Sequence, residues 1–415
     1  MKVTFSHPTG NANVRAALQG LFNAGILSEF HTAIAAFPGD LLYDMGGLGP
    51  LSELRRRTFD PQLKAITKQW PWIEAGRLLA SKAGLKKLVT HETGFFSVDA
   101  VYRSIDRRCS SRLAAKKDLK AVYAYEDGAY YSFNAAKRLG AQCIYDLPIG
   151  YWRAARELME VERERWPEWN ATLVSSLDSP QKLQRKDEEL KMADRIFVAS
   201  SFTARTLGSC PFDLAEIEVI PYGFPQVGPV RDYDAGLKKR PLRLLFVGGL
   251  SQRKGIANLF SAVSTLKRDV TLTVVGRKMG GPCPALDGEL KRHRWIPSLS
   301  HSDILGLMRE HDVLVFPSLF EGFGLVISEA MSQGTPVITT DRTAGPDFIR
   351  HGENGWVIRA GSTDELRETI SSILDDPEIV ARAGRAAMET ARARPWEVYM
   401  SELAHKVEVH LADRK

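Results

Sequence analysis

Short apolar runs alternate along this chain with longer stretches in which apolar residues return every three or four positions. The runs fit strands buried on both faces, and the periodic stretches fit amphipathic helices. In the first half this pattern predicts strands at Lys2–Ser6, Thr32–Phe37, Ala121–Tyr125, Gln142–Tyr145, Arg195–Ala199 and Glu218–Pro221. A helix is expected from about Val14, another up to Leu139, and charged helices over 151–192. Residues 50–119 read as a mostly helical, basic, exposed insertion. Ser200-Ser201 reads as a helix cap.

The breaker-rich stretch Pro221–Pro229 reads as a linker. Beyond it the rhythm repeats, with strands at Leu242–Val247, Thr271–Val275, near Arg292–Ile296, Val313–Phe316, Pro336–Thr339 and Trp356–Ile358. Pro395-Trp396 breaks a helical region ending near Arg394 and opens a final helix to about Leu411. The expected class is α/β, with two doubly wound, Rossmann-like parallel-sheet domains facing a central cleft. The expected division is residues 1–221, 222–394 and a closing helix within 395–415.

Composition narrows this only a little. A chain of 415 residues, 44% hydrophobic, suits two domains with sizeable cores. The net charge of +6 is too mild for a nucleic-acid footprint. The bias is local, however: residues 51–120 hold 16 Lys/Arg against 7 Asp/Glu. That stretch includes Arg55-Arg-Arg57, Lys86-Lys87, Arg107-Arg108 and Lys116-Lys117, with Trp70 and Trp72 nearby. It reads either as a solvated helical surface or as a face for anionic lipid or an acidic acceptor. Four scattered cysteines without a Cys-x-x-Cys fit a reducing cytoplasm and no zinc site. No signal-peptide core opens the chain, and no apolar run approaches the roughly 20 residues of a membrane span. Any membrane contact is therefore expected to be peripheral, on the inner face.

In open parallel sheets, ligands bind beyond the carboxyl ends of the strands. That rule selects Gly10, Asn11 and Asn13 in the first half, with Glu126, Asp127 and Asp146. In the second half it selects the loops at 248–254, 276–278, 296–298 and 321–324. The last of these is the most telling: Glu321-Gly-Phe-Gly-Leu-Val-Ile-Ser-Glu329 places two carboxylates around a glycine-rich helix start. Bare N–H groups there bind phosphate, and the flanking acids make sense if they reach past it to hydroxyls. Eight helical residues rise about 12 Å, the scale of a sugar diphosphate with its ribose.

This passage resembles the nucleotide-sugar signature of retaining glycosyltransferases of the GT-B fold, glycosyltransferase family 4 or group 1 type. The frame is wide: Asp312-Val-Leu-Val-Phe-Pro-Ser before it, and Gly334-Thr-Pro-Val-Ile and Gly345-Pro-Asp-Phe-Ile-Arg-His-Gly-Glu-Asn-Gly355 after it. The resemblance implies an enzyme that moves a hexose from a nucleotide diphosphate-sugar to a glycan, lipid-linked or small-molecule acceptor, as in bacterial surface polysaccharide synthesis. It implies Glu321 facing the transferred sugar, Glu329 on the ribose, and backbone N–H groups of Gly322, Phe323, Gly324 and Leu325 on sugar or phosphate. Lys254 matches the family lysine that neutralises the diphosphate, and Gly10 and Asn11 approach it from the other domain. Arg277 and Pro297 are placed by position near the base. No metal or other cofactor is implied.

Two departures from the family stand out. Its arginine usually directly follows the first glycine of the loop Gly248-Gly249-Leu-Ser-Gln-Arg253-Lys254, and that position is Gly249; Arg253 is the candidate replacement. Its histidine near the reacting sugar is replaced by Tyr145, ahead of Asp146. With Glu126 and Asp127 these make up the acceptor-side candidates. Two other readings stay open, a non-catalytic sugar-nucleotide or glycan binder of the same fold, and a sugar-nucleotide epimerase.

Overall fold

The computed structural model describes residues 2–40, 43–44, 57–116, 118–173, 178–233, 240–266 and 269–412. Two all-parallel sheets organise the chain. Strands β1 (Lys2–Ser6), β2 (Leu27–Thr32), β3 (Thr67–Gln69), β4 (Leu119–Tyr125), β5 (Gln142–Leu147), β6 (Arg195–Val198) and β7 (Ile217–Val219) form the first. Its order is β3-β2-β1-β4-β5-β6-β7. Strands β8 (Leu242–Val247), β9 (Val270–Val275), β10 (Arg294–Ile296), β11 (Val313–Phe316), β12 (Val337–Thr340) and β13 (Trp356–Ile358) form the second. Its order is β10-β9-β8-β11-β12-β13. In each sheet the order reverses direction beside the first strand, the place where such sheets open a crevice for ligands.

The helices are α1 (Ala12–Asn23), α2 (Trp72–Lys82), α3 (Val98–Leu113), α4 (Tyr130–Arg138), α5 (Trp152–Arg165), α6 (Pro180–Met192) and α7 (Ser201–Thr206) in the first half. Those of the second half are α8 (Ile256–Leu266), α9 (Pro284–Leu290), α10 (His301–Glu310), α11 (Leu325–Ser332), α12 (Gly345–Phe348), α13 (Thr363–Asp375) and α14 (Glu378–Ala393), followed by α15 (Trp396–Ala412). Serines start several of them: the Ser97, Ser179, Ser200, Ser300 and Ser362 side chains each accept a backbone N–H three residues on. Such a cap contributes about 1 kcal/mol. None of the described helices is long and apolar enough to cross a membrane.

Two expectations need correction. The second strand is Leu27–Thr32, where it pairs in parallel with β1, and it ends where Thr32–Phe37 was expected to begin. Residues 57–116 are only in part the exposed helical insertion expected: they are largely helical and exposed around Trp72–Val98, but much of the segment is built into the domain. They supply edge strand β3 and helix α3, whose Val101, Ile105, Cys109 and Leu113 are buried. The Asp106 carboxylate of α3 accepts the N–H groups of Tyr131 and Ser132 at 2.7 and 2.9 Å, capping α4. Charged residues at this spacing mask an inward face: α3 is polar on average but buries one stripe. The part of that expectation falling on 50–56, with Arg55 and Arg56, lies outside the described residues, as does Lys117.

Three contacts stand out among those that knit the domains together. Helix α15 lies on α1 and puts Tyr399, Leu403, Ala404 and Val407 into the core of the first domain. Trp169, just after α5, stacks on Phe260 of α8 at 5.9 Å inside the second core. The Phe320–Gly322 loop, following β11, meets the loops after β5 and β6, as described next.

Candidate active site

The second domain brings its basic loop and its glycine-rich loop into contact. Gly255 has φ +69, and a side chain there would collide with the carbonyl oxygen of Pro317 at the end of β11. Glycine thus lets the basic loop press against β11. Lys254 is thereby delivered over the Phe316 ring, 4.9 Å from its centroid, and into an ion pair with the Glu321 carboxylate. Arg253 Nη1 donates to the Phe320 carbonyl at 2.7 Å and lies 3.5 Å from Glu321 Oε2. Lys254 and Glu321 side chains are only 12% and 16% exposed. Burial, with the neighbouring Arg253, lowers the Lys254 pKa well below the ordinary lysine value, and burial lowers that of Arg253. The Glu321 carboxylate is the direct ion-pair partner of the Lys254 ammonium. Two crowded cations beside one carboxylate leave a net positive pocket at a helix start.

Gly322 fixes where that pocket faces. Its carbonyl accepts the hydroxyls of Ser200 at 2.5 Å and Thr203 at 3.1 Å, and a side chain on it would strike the Pro148 carbonyl. Gly150 in turn touches the Phe320 ring so closely that a Cβ would clash. The Glu321 end of the loop therefore opens directly onto the first domain. The Ser200-Ser201 motif signalled only a cap; the same hydroxyl also holds this interdomain contact.

Helix α11 starts at Leu325 after Gly324, and its first N–H groups have no intrahelical acceptors by construction. Glu329, one turn along, is 19% exposed and paired with His301 Nε2 at 3.0 Å. That contact raises the His301 pKa. His301 opens α10 and went unnoticed in the sequence, where a lone histidine carries no signal. It follows the Pro297–Ser300 turn behind β10. Exposed Pro297 and Arg277 lie just beyond the neighbouring strands β10 and β9, whose ends are joined by the Gly276 N–H to the Ile296 carbonyl at 3.0 Å. Gly249 lies on a loop strapped to the β9 end: Leu250 N–H donates to the Arg277 carbonyl at 2.9 Å. Lys254, Arg253 and Glu321 thus meet in one cluster, while Glu329 pairs with His301 and Arg277 and Pro297 stand exposed beyond β9 and β10. Phe323 is buried against Tyr222 at 4.9 Å, so only its backbone can face a ligand.

In the first domain, Gly10 is closed over by the Phe59 ring, its carbonyl holds the Arg15 guanidinium, and Asn11 is exposed at the start of α1. The acceptor-side candidates divide. Glu126 lines a cavity of about 210 Å³ with Trp152, Arg156, Lys186 and, from the other domain, Arg253 and Phe320. Its carboxylate lies 3.3 Å from Lys186 Nζ; burial pushes its pKa up and Lys186 opposes this. Asp127, at φ +69, is held by Arg185 at 3.3 Å and Lys182 at 3.4 Å.

Tyr145 and Asp146 do not reach this cavity, which corrects their placement as acceptor contacts. Strand alternation sends them to opposite faces of β5, and both faces are covered. Tyr145 is fully buried on the α4 side, where its hydroxyl donates to Glu189 at 3.4 Å. Asp146 is 3% exposed and accepts the Tyr123 hydroxyl at 2.6 Å. Burial pushes its pKa up to about 7. His91, Glu92 and Asp178 bring ligand atoms within 4.8 Å of one another, but Lys182 Nζ, 3.0 Å from Asp178, already supplies positive charge there.

Residues 232–390 match the model of the family "Glycosyl transferases group 1". Over 187 residues the chain is 32% identical to a glycogen synthase of Mycobacterium tuberculosis, a stretch covering 42% of this chain and 44% of that relative. The chain thus spans less than half the length of this curated relative. Among solved structures, the sucrose-phosphate synthase of Thermosynechococcus elongatus superposes with a TM-score of 0.65 at 17% identity, covering 100% of both chains. Anabaena HepE in complex with UDP superposes at 0.61 and 16% identity, covering 99% of this chain and 100% of that one.

Proposed function

We propose, from the match of residues 232–390 to the glycosyl transferases group 1 model and the likeness of the whole chain to GT-B folds, that this protein is a retaining, nucleotide diphosphate-sugar-dependent hexosyltransferase. The acceptor is a glycan or glycolipid-type molecule of a bacterial surface polysaccharide pathway. One observation carries the reading: Lys254, Arg253 and Glu321 meet at a helix start that opens on the other domain. Support comes from the HepE structure, which holds UDP on the same fold.

In this reading the diphosphate binds between the α11 N-terminus and the Arg253-Lys254 loop. It takes over the Lys254 ammonium, and Glu321, so released, accepts a hydroxyl of the transferred sugar. Glu329 accepts the ribose hydroxyls. The acceptor hydroxyl attacks the anomeric carbon from the face the diphosphate leaves. Its proton passes to the departing phosphate oxygen as the glycosidic bond forms. Charge growing on that diphosphate is met by fixed cations and helix amides, which is electrostatic catalysis. The scheme requires no metal. The small cavity between Glu126, Trp152, Arg156 and Arg253 is the place for the acceptor.

Thermal-shift screening against UDP-, GDP- and ADP-sugars, followed by NMR of the donor that stabilises, tests this. Expected are a raised midpoint with one donor, slow release of its nucleoside diphosphate, and an α-configured product from an α-linked donor. A donor that binds and stays intact would mean a binder, and conversion to an epimeric nucleotide sugar would mean an epimerase. Either result sinks the transferase reading.

A further inference from the structure

Six of the thirteen large apolar side chains exposed among the described residues fall between Trp72 and Val98. They are Trp72 (66%), Leu79 (69%), Leu85 (52%), Leu88 (38%), Phe95 (67%) and Val98 (54%). Trp72 and Leu79 are seven apart on α2 and so share a face. Leu85 and Leu88 flank Lys86 and Lys87 on the short 3₁₀ turn after α2. Apolar exposure so concentrated marks a contact surface rather than random scatter.

Beside it lies a groove of about 690 Å³ with Trp70 and Phe95 on one side and Arg103, Arg107 and Arg108 of α3 on the other. Arg108 lies over the Trp70 ring, 4.3 Å from its centroid, and Arg107 donates to the Tyr131 hydroxyl at 2.7 Å. Among the described residues, none of the three arginines pairs with a carboxylate. Of the acids in the same segment, Glu92 lines the groove with its carboxylate accepting the Ser179 N–H at 2.7 Å, and the others are turned inward. Glu74 is 1% exposed and taken by Arg57 and Arg77, Asp99 is held by Lys182, and Asp106 caps α4. The outward charge is therefore cationic.

We propose that residues 70–111 are a membrane-docking face for a bilayer of anionic phospholipid. Trp72, Leu79 and Phe95 enter the headgroup boundary, and the arginine groove with Lys86 and Lys87 takes lipid phosphates. Aromatic and aliphatic side chains set among basic ones are the composition of an interfacial anchor. A second copy of the chain is disfavoured, because the face presents cations to cations. Nucleic acid is disfavoured because four of the six exposed apolar side chains, Leu79, Leu85, Leu88 and Val98, are aliphatic and offer bases no stacking. The face is separate from the donor pocket, so it stands or falls independently of the transferase reading.

Flotation of the full chain with vesicles tests it. Binding is expected to vesicles of phosphatidylglycerol in phosphatidylcholine, and not to phosphatidylcholine alone. Arg103→Glu with Arg107→Glu and Arg108→Glu should lower the partition coefficient about a hundredfold, roughly fivefold for each basic residue lost. Trp72→Ser with Phe95→Ser should lower it at least tenfold, with the thermal midpoint and donor binding unchanged. If the arginine variant misfolds, Lys86→Glu with Lys87→Glu, both on exposed residues, should give about a twenty-fivefold loss. No enrichment on anionic vesicles, equal enrichment on neutral ones, undiminished binding by the folded variants, or a dimer or single-stranded RNA complex in place of vesicle binding would each overturn the proposal.

Discussion

The two walls of the interdomain cleft spend their charges differently. On the second-domain wall, the charged groups of Lys254, Arg253 and Glu321 are gathered on two adjacent loops and face one another. On the first-domain wall, the acids after β4 and β5 are absorbed by structure. Asp127 is clasped by Arg185 and Lys182, Asp146 is sunk beneath Tyr123, and Glu189 accepts the N–H groups of Asp127, Ala129 and Tyr130. Glu126 lines the cavity, and Asp178 joins it from just before α6. A wall built to meet a phosphate can use loop backbone and fixed cations. A wall built to hold many buried charges must first satisfy them, and its reactive-looking residues become scaffolding.

Removing Lys254 should break this contrast most severely. Lys254→Ala deletes a preorganised cation at the point where leaving-group charge grows. We expect a fall in kcat of about 10²–10³-fold, the scale of losing one oxyanion donor. Because Arg253 stays 3.5 Å from Glu321 in the alanine variant, the carboxylate keeps a cation beside it and thermal stability should fall only slightly. Steady-state kinetics beside a melting curve checks both, and near-full activity in the folded variant would move the chemistry elsewhere.

The second wall was the more legible in the sequence, for a physical reason. Its strands are short continuous apolar runs, so Leu242–Val247, Val313–Phe316 and Trp356–Ile358 stand at the expected bounds. Its candidate residues work from within a few positions of strand ends, where spacing and glycine content are readable. The Lys254–Glu321 contact joins loops far apart in sequence, yet each loop is locally marked. In the first domain the decisive contacts are between single polar residues of ordinary type: Asp106 to the α4 amides, Glu189 to the turn at 127–130, Gly322 to Ser200 and Thr203. Nothing local distinguishes such an acid from a solvated one. The same blindness made α3 look exposed and left His301 unseen.

A second prediction, smaller in effect, uses the buried Asp146. Its native pKa of about 7 stands above the unfolded value near 3.8. The native state therefore holds a proton that the unfolded chain releases, and stability falls as pH rises from about 4 through about 7. Asp146→Asn keeps an acceptor for the Tyr123 hydroxyl and removes the titration. The variant should gain on the wild type between pH 4 and pH 8, by a few kcal/mol at most, on the order of 1.4 kcal/mol per pH unit crossed. Urea unfolding at the two pH values reads this. An equal gap at both would mean the carboxyl ionises freely, as a substrate-facing group would.

The smallest effect is expected at Tyr145, where the family places a histidine. Its hydroxyl makes one long contact, 3.4 Å, to Glu189 Oε2, and that oxygen also accepts the Asp127 N–H at 2.9 Å. Tyr145→Phe leaves the ring packing in place and leaves Glu189 still satisfied. The cost should be about 1 kcal/mol or less, a fall of about 2–4 °C in Tm at most, with transfer kept within about twofold. The outcome against this is a variant that melts like the wild type yet loses transfer more than tenfold. The hydroxyl would then have to reach the substrate, and β5 would have to shift on closure to carry it there. Compared with Lys254→Ala, this variant measures how far the first-domain wall has given up chemistry for architecture.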